Sequence, residues 1–486
     1  MADAISLKVL IDKEKNRIIY AESNEDFVDI LFSFLTVPIG TIIRLTSNQS
    51  LMLKIGSMNN LYKSVENIDA QYFQTPGRKA MLLRPCNGAE PHCKKLKLKI
   101  DHNAEATKYF ICATHNCTNK YYKLLSHYED ATCKCGQTMN SDRNLSETAS
   151  QVHGGVFVKR LTRFIISDDL QVMPVSTAAS FSLFSKHGLT DGSMVEERIF
   201  NVAGADKVLT LFVRSLVSRM PLTETFLKHE QIAELNNVIL YQGSSVGSRT
   251  NEDMTQEEGI TITLKLMVSK SKRIVCYAEA ERDFVNLLFS FFAVPLGYLV
   301  ENMRGTGSLN GCIDKLYKSV HDLDERRFIS NDYREILVSP RLAFGFGYKH
   351  DLLDVGEASQ PWFYYASSCQ PYYRDMLTTT KSLTHSYNNV VSLTVIDPKS
   401  HKYVDESDGG FLTGPAMFIV TDSLIVTPIS SIFSLSILND LKVPFSDIEE
   451  KVVHVGKEEA LRLLLYSFHS ESALTNAFIR EPKQEQ

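Results

Sequence analysis

The chain has 486 residues, a hydrophobic fraction of 44%, and 52 basic against 57 acidic side chains, for a net charge of −5. That length admits about two to four domains, with room for a core in either half, and that charge gives no overall pull toward nucleic acid or anionic lipid. The longest apolar run, residues 27–39, is interrupted by Asp29, Ser33 and Thr36 and is too short and polar to cross a bilayer.

The opening MADAISLKVLID carries an early Asp3 and no apolar core, so a secretory leader is not expected. Residues 5–11 and 17–22 are two short apolar-rich runs around the polar DKEKN, which predicts a β-hairpin. Ser23 then offers an N-cap, with Asp26 three residues on, near the positive end of the helix that follows. That helix, in EDFVDILFSFLTVPIG, must stop near Pro38, which disfavours helical geometry in the residue before it. Asp26, Asp29 and Ser33 fall on one narrow stripe and nearly everything else is apolar, so the helix is expected to be mostly buried against the sheet.

The same string returns as RDFVNLLFSFFAVPLG, with Asp283 and Asn286 at the positions of Asp26 and Asp29, and the likeness extends back to Ile5 and Ile262 without a gap. Leu61-Tyr62-Lys63-Ser64-Val65 returns as Leu316-Tyr317-Lys318-Ser319-Val320, and Gly154-Gly155 as Gly409-Gly410. FIISDDLQVMPVS, from Phe164, returns as FIVTDSLIVTPIS, from Phe418, a strand–turn–strand pattern in each case. A helix rich in Leu, Phe and Ser follows each, over 177–187 and 432–441. An acidic pair, Glu196-Glu197 or Glu449-Glu450, precedes a short strand, and a closing helix, 205–217 or 458–468, leads to Leu222-Thr223 or Leu474-Thr475. The expected fold is therefore α+β, two tandem homologous domains of ββα parts with mixed or antiparallel sheets and packed helices; the opening order resembles β-grasp folds. The expected boundaries are 1–242 for the first repeat, with a Cys-rich insert at about 84–140, then a polar Gly/Ser linker at 243–259, the second repeat at 260–480 and a frayed tail at 481–486.

Nine cysteines, an odd number, argue against a disulfide framework and for a reducing compartment, cytosol or nucleus. Six of them fall between Cys86 and Cys135. The tightest set is Cys112-x4-Cys117 followed by Cys133-x-Cys135 before Gly136, two close pairs that can supply four thiolates to one tetrahedral Zn²⁺. His115, Cys86 and Cys93 are substitutes within reach in sequence, and ordinary buried thiols are the competing reading. In the second repeat the four positions align with Ser367, Tyr372, Asn388 and Val390, so a metal is expected in the first repeat alone, in a structural role.

Lys94, Lys95, Lys97 and Lys99 alternate with Leu96, Leu98 and Ile100, near Tyr109, Lys120, Tyr121, Tyr122 and Lys123. Charge and stacking there would suit single-stranded nucleic acid; the plainer expectation is a half-buried strand with lysines facing water. Gly345 and Gly347 in SPRLAFGFGYKH lack the third glycine and the helix of a dinucleotide fingerprint. No nucleophile elbow, zincin, Walker or kinase signature is present. Asp26 and Asp29 read as helix capping and a solvated stripe rather than as an acid/base pair.

KVLIDKEKNRIIYAE leading into DFVDILFSFLTVPIG, together with LYKSV, CKCG, FIVTDSLIVTPIS and EEALRLLLYSF, resembles the plant family catalogued as domain of unknown function 674. The resemblance implies a plant source and tandem copies of one domain; the first repeat's cysteines fit the family's pattern, the second repeat departs from it at all four positions, and no catalytic residue is carried over. The resulting expectation is a non-enzymatic binding or scaffolding module with a protein partner, no membrane association, a structural Zn²⁺ on Cys112, Cys117, Cys133 and Cys135, and no organic cofactor. The alternatives are an enzyme with its active site at the interface between domains and nucleic-acid binding through Lys94 to Lys123.

Overall fold

The computed structural model describes residues 4–47, 53–73, 75–100, 108–114, 117–146, 155–228, 260–303, 311–348, 351–367, 375–385, 387, 389–399, 409–414 and 416–480. The expected linker, 243–259, and tail, 481–486, lie outside the described residues. The strands, in chain order, are β1 (Ile5–Asp12), β2 (Arg17–Ser23), β3 (Tyr109–Ile111), β4 (Leu124–Ser126), β5 (Ala131–Thr132), β6 (Thr138–Met139), β7 (Ser141–Arg143), β8 (Phe164–Ser167), β9 (Val172–Pro174) and β10 (Val195–Val202). The second half adds β11 (Ile262–Ser269), β12 (Ile274–Glu281), β13 (Phe363–Ser367), β14 (Met376–Thr378), β15 (Asn389–Val395), β16 (Met417–Thr421), β17 (Val426–Pro428) and β18 (Ile448–Val455).

Two sheets have the same strand order, β10-β1-β2-β8-β9 and β18-β11-β12-β16-β17, antiparallel throughout. Their opening hairpins share even an irregularity, a register shift after Leu10 in one and after Met267 in the other. Alternation drives this: Ile5, Leu7, Val9 and Ile11 face the core while Ser6 and Lys8 face water. The helices Thr177–His187 and Ser431–Asp440 form as the sequence predicts, and each covers the outer face of its own sheet, through Leu183 on Ile19 and Ile165 and through Ile437 on Cys276 and Ile419. The Glu196-Glu197 and Glu449-Glu450 pairs lie inside the edge strands β10 and β18 rather than ahead of them.

The helix Glu25–Ser33 follows the hairpin, continues as a tight turn over Phe34–Thr36 and gives way at Pro38 to a new helix, Ile39–Ser47. Its N-cap is Asn24; Ser23 is still in β2, where its backbone pairs with Phe164, so it cannot serve as the cap. Every residue of the helix but Asp26 is buried. The reason is that this helix lies between its own sheet and the other half of the chain. Leu7, Phe32, Phe34, Leu211, Leu264, Phe289, Phe291 and Leu463 belong to one continuous cluster of buried apolar side chains. Where the two helical turns meet, Pro38 and Pro295 form a bridge, with the Ile39 N–H donating to Val294 O at 3.0 Å and the Leu296 N–H to Val37 O at 2.9 Å.

The two inserts also meet. They build a single six-stranded sheet, β14-β13-β15-β4-β3-β7, in which β15 of the second half runs parallel to β4 of the first. The cysteine-rich insert therefore sits against the other insert. The protein is α+β, with antiparallel and mixed sheets.

Candidate metal centre

The four predicted cysteines converge. The Sγ atoms of Cys112, Cys117, Cys133 and Cys135 all lie within 4.8 Å of one another, with Cys112 and Cys135 at 3.6 Å. A Zn²⁺ with Zn–S bonds of about 2.3 Å separates its sulfurs by about 3.8 Å in a tetrahedron, so the set is close to the size the ion requires. Cys112 follows β3 directly, and Cys117 opens a wide helical turn, Cys117–Tyr121, whose carbonyl accepts from the Tyr122 and Lys123 N–H groups at 3.0 and 2.9 Å. Thr118 Oγ1 donates to Cys112 O at 3.1 Å and ties the two segments together.

Cys133 and Cys135 sit in the turn between β5 and β6. The turn closes through Cys133 N–H to Gln137 O at 2.9 Å and Gly136 N–H to Cys133 O at 2.8 Å, with Gly136 at φ +90°, a backbone state that glycine adopts without strain. This brings backbone amides onto sulfur: the Cys135 N–H faces the Cys133 thiol and the Gln137 N–H faces the Cys135 thiol. Burial pushes the Cys133 thiol up to about 12 and the Cys117 thiol up to about 11. Burial also opposes ionisation of Cys135, but the Gln137 amide and the three neighbouring thiols outweigh it and bring that group down to about 7. One sulfur, Cys135, is thus ready to ionise beside two thiols, Cys117 and Cys133, that burial keeps protonated, and a bound cation would compete with those protons.

Among the substitutes, His115 lies outside the described residues. Cys86 takes the Tyr128 hydroxyl at 3.1 Å, and Cys93 sits by Thr36 Oγ1 at 3.7 Å, both packed against the main core with burial pushing their thiols up, to about 11 and about 12. The corresponding region of the second half lies alongside. Ser367 Oγ donates to Asn119 at 3.3 Å, Val390 is in β15, and Ile396 packs into the apolar shell around the cysteines; Tyr372 and Asn388 lie outside the described residues.

The Lys94–Ile100 stretch is not a strand. It continues from the short helix Glu90–Cys93 as turns, with the Lys94, Lys95 and Leu96 N–H groups donating to Glu90, His92 and Cys93 carbonyls. Lys94 donates to the Tyr109 hydroxyl at 2.8 Å, Lys97 pairs with Asp26 at 3.4 Å, and Tyr121 and Tyr122 are 70% and 42% exposed. In the Gly345 and Gly347 loop the amides are already occupied, since Glu357 Oε1 accepts both, at 3.1 and 2.6 Å. That carboxylate fills the place an anion would need.

The residue whose role sequence reasoning missed is Asp29. It is buried, and its carboxylate accepts the backbone N–H groups of Val156, Phe157 (2.9 Å) and Val158 (3.0 Å), fastening the loop that follows Gly155. Asn286 grips the equivalent loop through Phe411 N–H at 3.0 Å and Leu412 N–H at 3.1 Å. The signal was present in the sequence: an Asp exchanged for its neutral isostere marks an acceptor, not an acid. Burial outweighs the three amides and raises Asp29 from 3.8 to about 7. A carboxyl raised by folding stabilises the fold below its unfolded value and loses that contribution as pH climbs through its folded value. Asp29→Asn should therefore be less stable than the parent near pH 5, where it lacks the acceptor for Val156, and should close or reverse the gap by pH 8. The change between those two pH values is about 3 kcal/mol, because pH 5 lies about two units of pH below the folded value, and it is read from denaturant unfolding at several pH values. A gap that stays constant with pH removes Asp29 as its source.

No curated protein and no solved structure matches this sequence. Among the described residues no helix is long and apolar enough to cross a membrane. The family model described as "Protein of unknown function (DUF674)" matches residues 1–458, nearly the whole length, and the chain belongs to that family.

Proposed function

We propose that this protein is a non-enzymatic binding or scaffolding module of plants, working in the cytosol or nucleus on a protein partner, with a structural Zn²⁺ held by Cys112, Cys117, Cys133 and Cys135. The observation that carries the metal is the convergence of four thiols within 4.8 Å from the end of β3 and two separate turns. All-sulfur donors at this spacing suit Zn²⁺, and they leave no open position for a substrate, so the ion's contribution is to folding. The site ties the turn that opens at Cys117 to the β5–β6 turn and backs the sheet shared by the two inserts. The scaffolding reading is supported by two sheets of one order carrying unlike inserts, a common frame that presents differing surfaces.

Protein purified without added zinc should contain about one Zn per chain by elemental analysis, and Cys133→Ser should lower that content several-fold. Cys276→Ser, on the outer face of β12, should leave it unchanged. Protein that carries no metal and takes up none from dilute Zn²⁺ would overturn the assignment.

A further inference from the structure

We infer that the two halves of the chain are obligate partners: the surface that each presents is fitted to a second copy of the same unit, and neither half holds its fold alone. The helix Met58–Asn67 of the first half lies against β17 of the second, where Ser64 Oγ accepts the Val426 N–H at 2.9 Å while donating to its own helix at Asn60 O. The second half returns the contact. Ser319, in the helix Ile313–Asp322, accepts the Val172 N–H of β9 at 2.9 Å while donating to Lys315 O. Each serine thus satisfies a buried strand amide that its own half does not contain, and losing that acceptor leaves the amide unpaired at a cost well above that of an ordinary hydrogen bond.

The exchange repeats at other points on the same surface. Phe32 stacks on Phe328 at 6.2 Å and 22°, and Phe289 stacks on Phe73 at 6.4 Å and 20°, the same pair of positions taken from opposite halves. Ser57 N–H donates to Ser467 O at 2.9 Å and Cys312 N–H to Ser215 O at 2.8 Å, so each of the two helices begins on the closing helix of the other half. Backbone bridges add Phe73 to Leu412 and Val158 to Phe328. All of these are buried and reciprocal, and they run on into the Pro38–Pro295 crossing. An interface of this kind, apolar and threaded with main-chain bonds, resembles the core of an obligate dimer rather than the polar contact between two self-sufficient domains. The arrangement is that of a two-fold dimer written into one chain.

The test uses the full chain with a protease site placed between residues 243 and 259. After cleavage the fragments should co-elute as one species with one copy of each, and should unfold in a single transition whose midpoint rises with protein concentration, as association requires. Fragments that part only as they lose their near-ultraviolet circular dichroism support the inference equally. Fragments that separate while remaining folded, or that co-elute but melt in two concentration-independent steps, overturn it. In the uncut chain, Ser64→Ala should raise hydrogen exchange at Val426 several-fold and leave Val172 unchanged, with Ser319→Ala doing the converse. Exchange that does not cross between halves in this way counts against the reciprocal fit.

Discussion

Gly311→Ala should destabilise the whole chain by about 3 kcal/mol, measured by denaturant unfolding. A Cβ on Gly311 would stand 2.1 Å from Ser215 O and 2.4 Å from Leu216 C, both backbone atoms of the closing helix in the other half. No side-chain rotation relieves such an overlap, so the helix Ile313–Asp322 would have to lift from its seat. That would take Ser319 away from Val172 and Tyr317 away from its buried site. Replacing glycine by alanine ordinarily stabilises by about 0.4–1 kcal/mol where space and backbone allow, so the sign itself is diagnostic. Gly56→Ala, whose Cβ would lie 2.6 Å from Ser467 O in the matching position, should cost at least as much, because its φ of +43° adds backbone strain to the overlap. Gly192→Ala, with nothing within 4 Å, should follow that ordinary rule and stabilise by up to about 1 kcal/mol. If Gly311→Ala proves as mild as Gly192→Ala, the close seating of the two halves is wrong.

That seating also shows which parts of the molecule were legible in its sequence. Local patterns were. The hairpin of β1 and β2, the helix Thr177–His187 and the closing helix Ala205–Val217 follow from alternation, composition and helical spacing. The convergence of the four cysteines was legible because two close Cys pairs are a local spacing that can supply four thiolates to one ion, whatever surrounds them. What sequence could not convey was which half a buried face would meet. The helix Glu25–Ser33 was expected to be buried against its own sheet, yet Phe32 stacks on Phe328 from the other copy. The likeness of the two halves explains the difficulty: similar faces fit their own neighbour or the neighbour in the other half equally well on pattern alone. The echo of Leu-Tyr-Lys-Ser-Val held the clue in Ser64 and Ser319, since a small polar residue kept on a buried helix face needs a partner to satisfy. Asp29 was misplaced for a similar reason. A charged residue on a polar stripe looks solvated until the loop that it holds, far along the chain, is brought onto it.

Removing the proposed Zn²⁺ should be felt in the half of the chain that would supply none of its ligands. The Thr394 N–H donates to Lys123 O and the Ile396 N–H to Leu125 O, each at 2.8 Å, and both bonds lie along the parallel pairing of β15 with β4. Lys123, at φ +53°, ends the turn that Cys117 begins, and Ile396 packs among the cysteines themselves. With the ion gone, the cluster retains only a small apolar shell, and its thiols gain nothing from proximity. A four-thiolate Zn²⁺ site supplies apparent binding energies of about 10–16 kcal/mol in small metal-dependent folds, far more than that shell can replace. Chelation, or Cys133→Ser, should therefore raise hydrogen exchange at Thr394 and Ile396 by at least about tenfold, which corresponds to about 1.4 kcal/mol of lost local protection. Val172 and Val426, held by Ser319 and Ser64 in the main core, should keep their protection. Loss at all four amides would make the ion a keystone of the entire fold. Loss at none would mean that the two inserts hold each other without it, and the structural role proposed for the metal would fall.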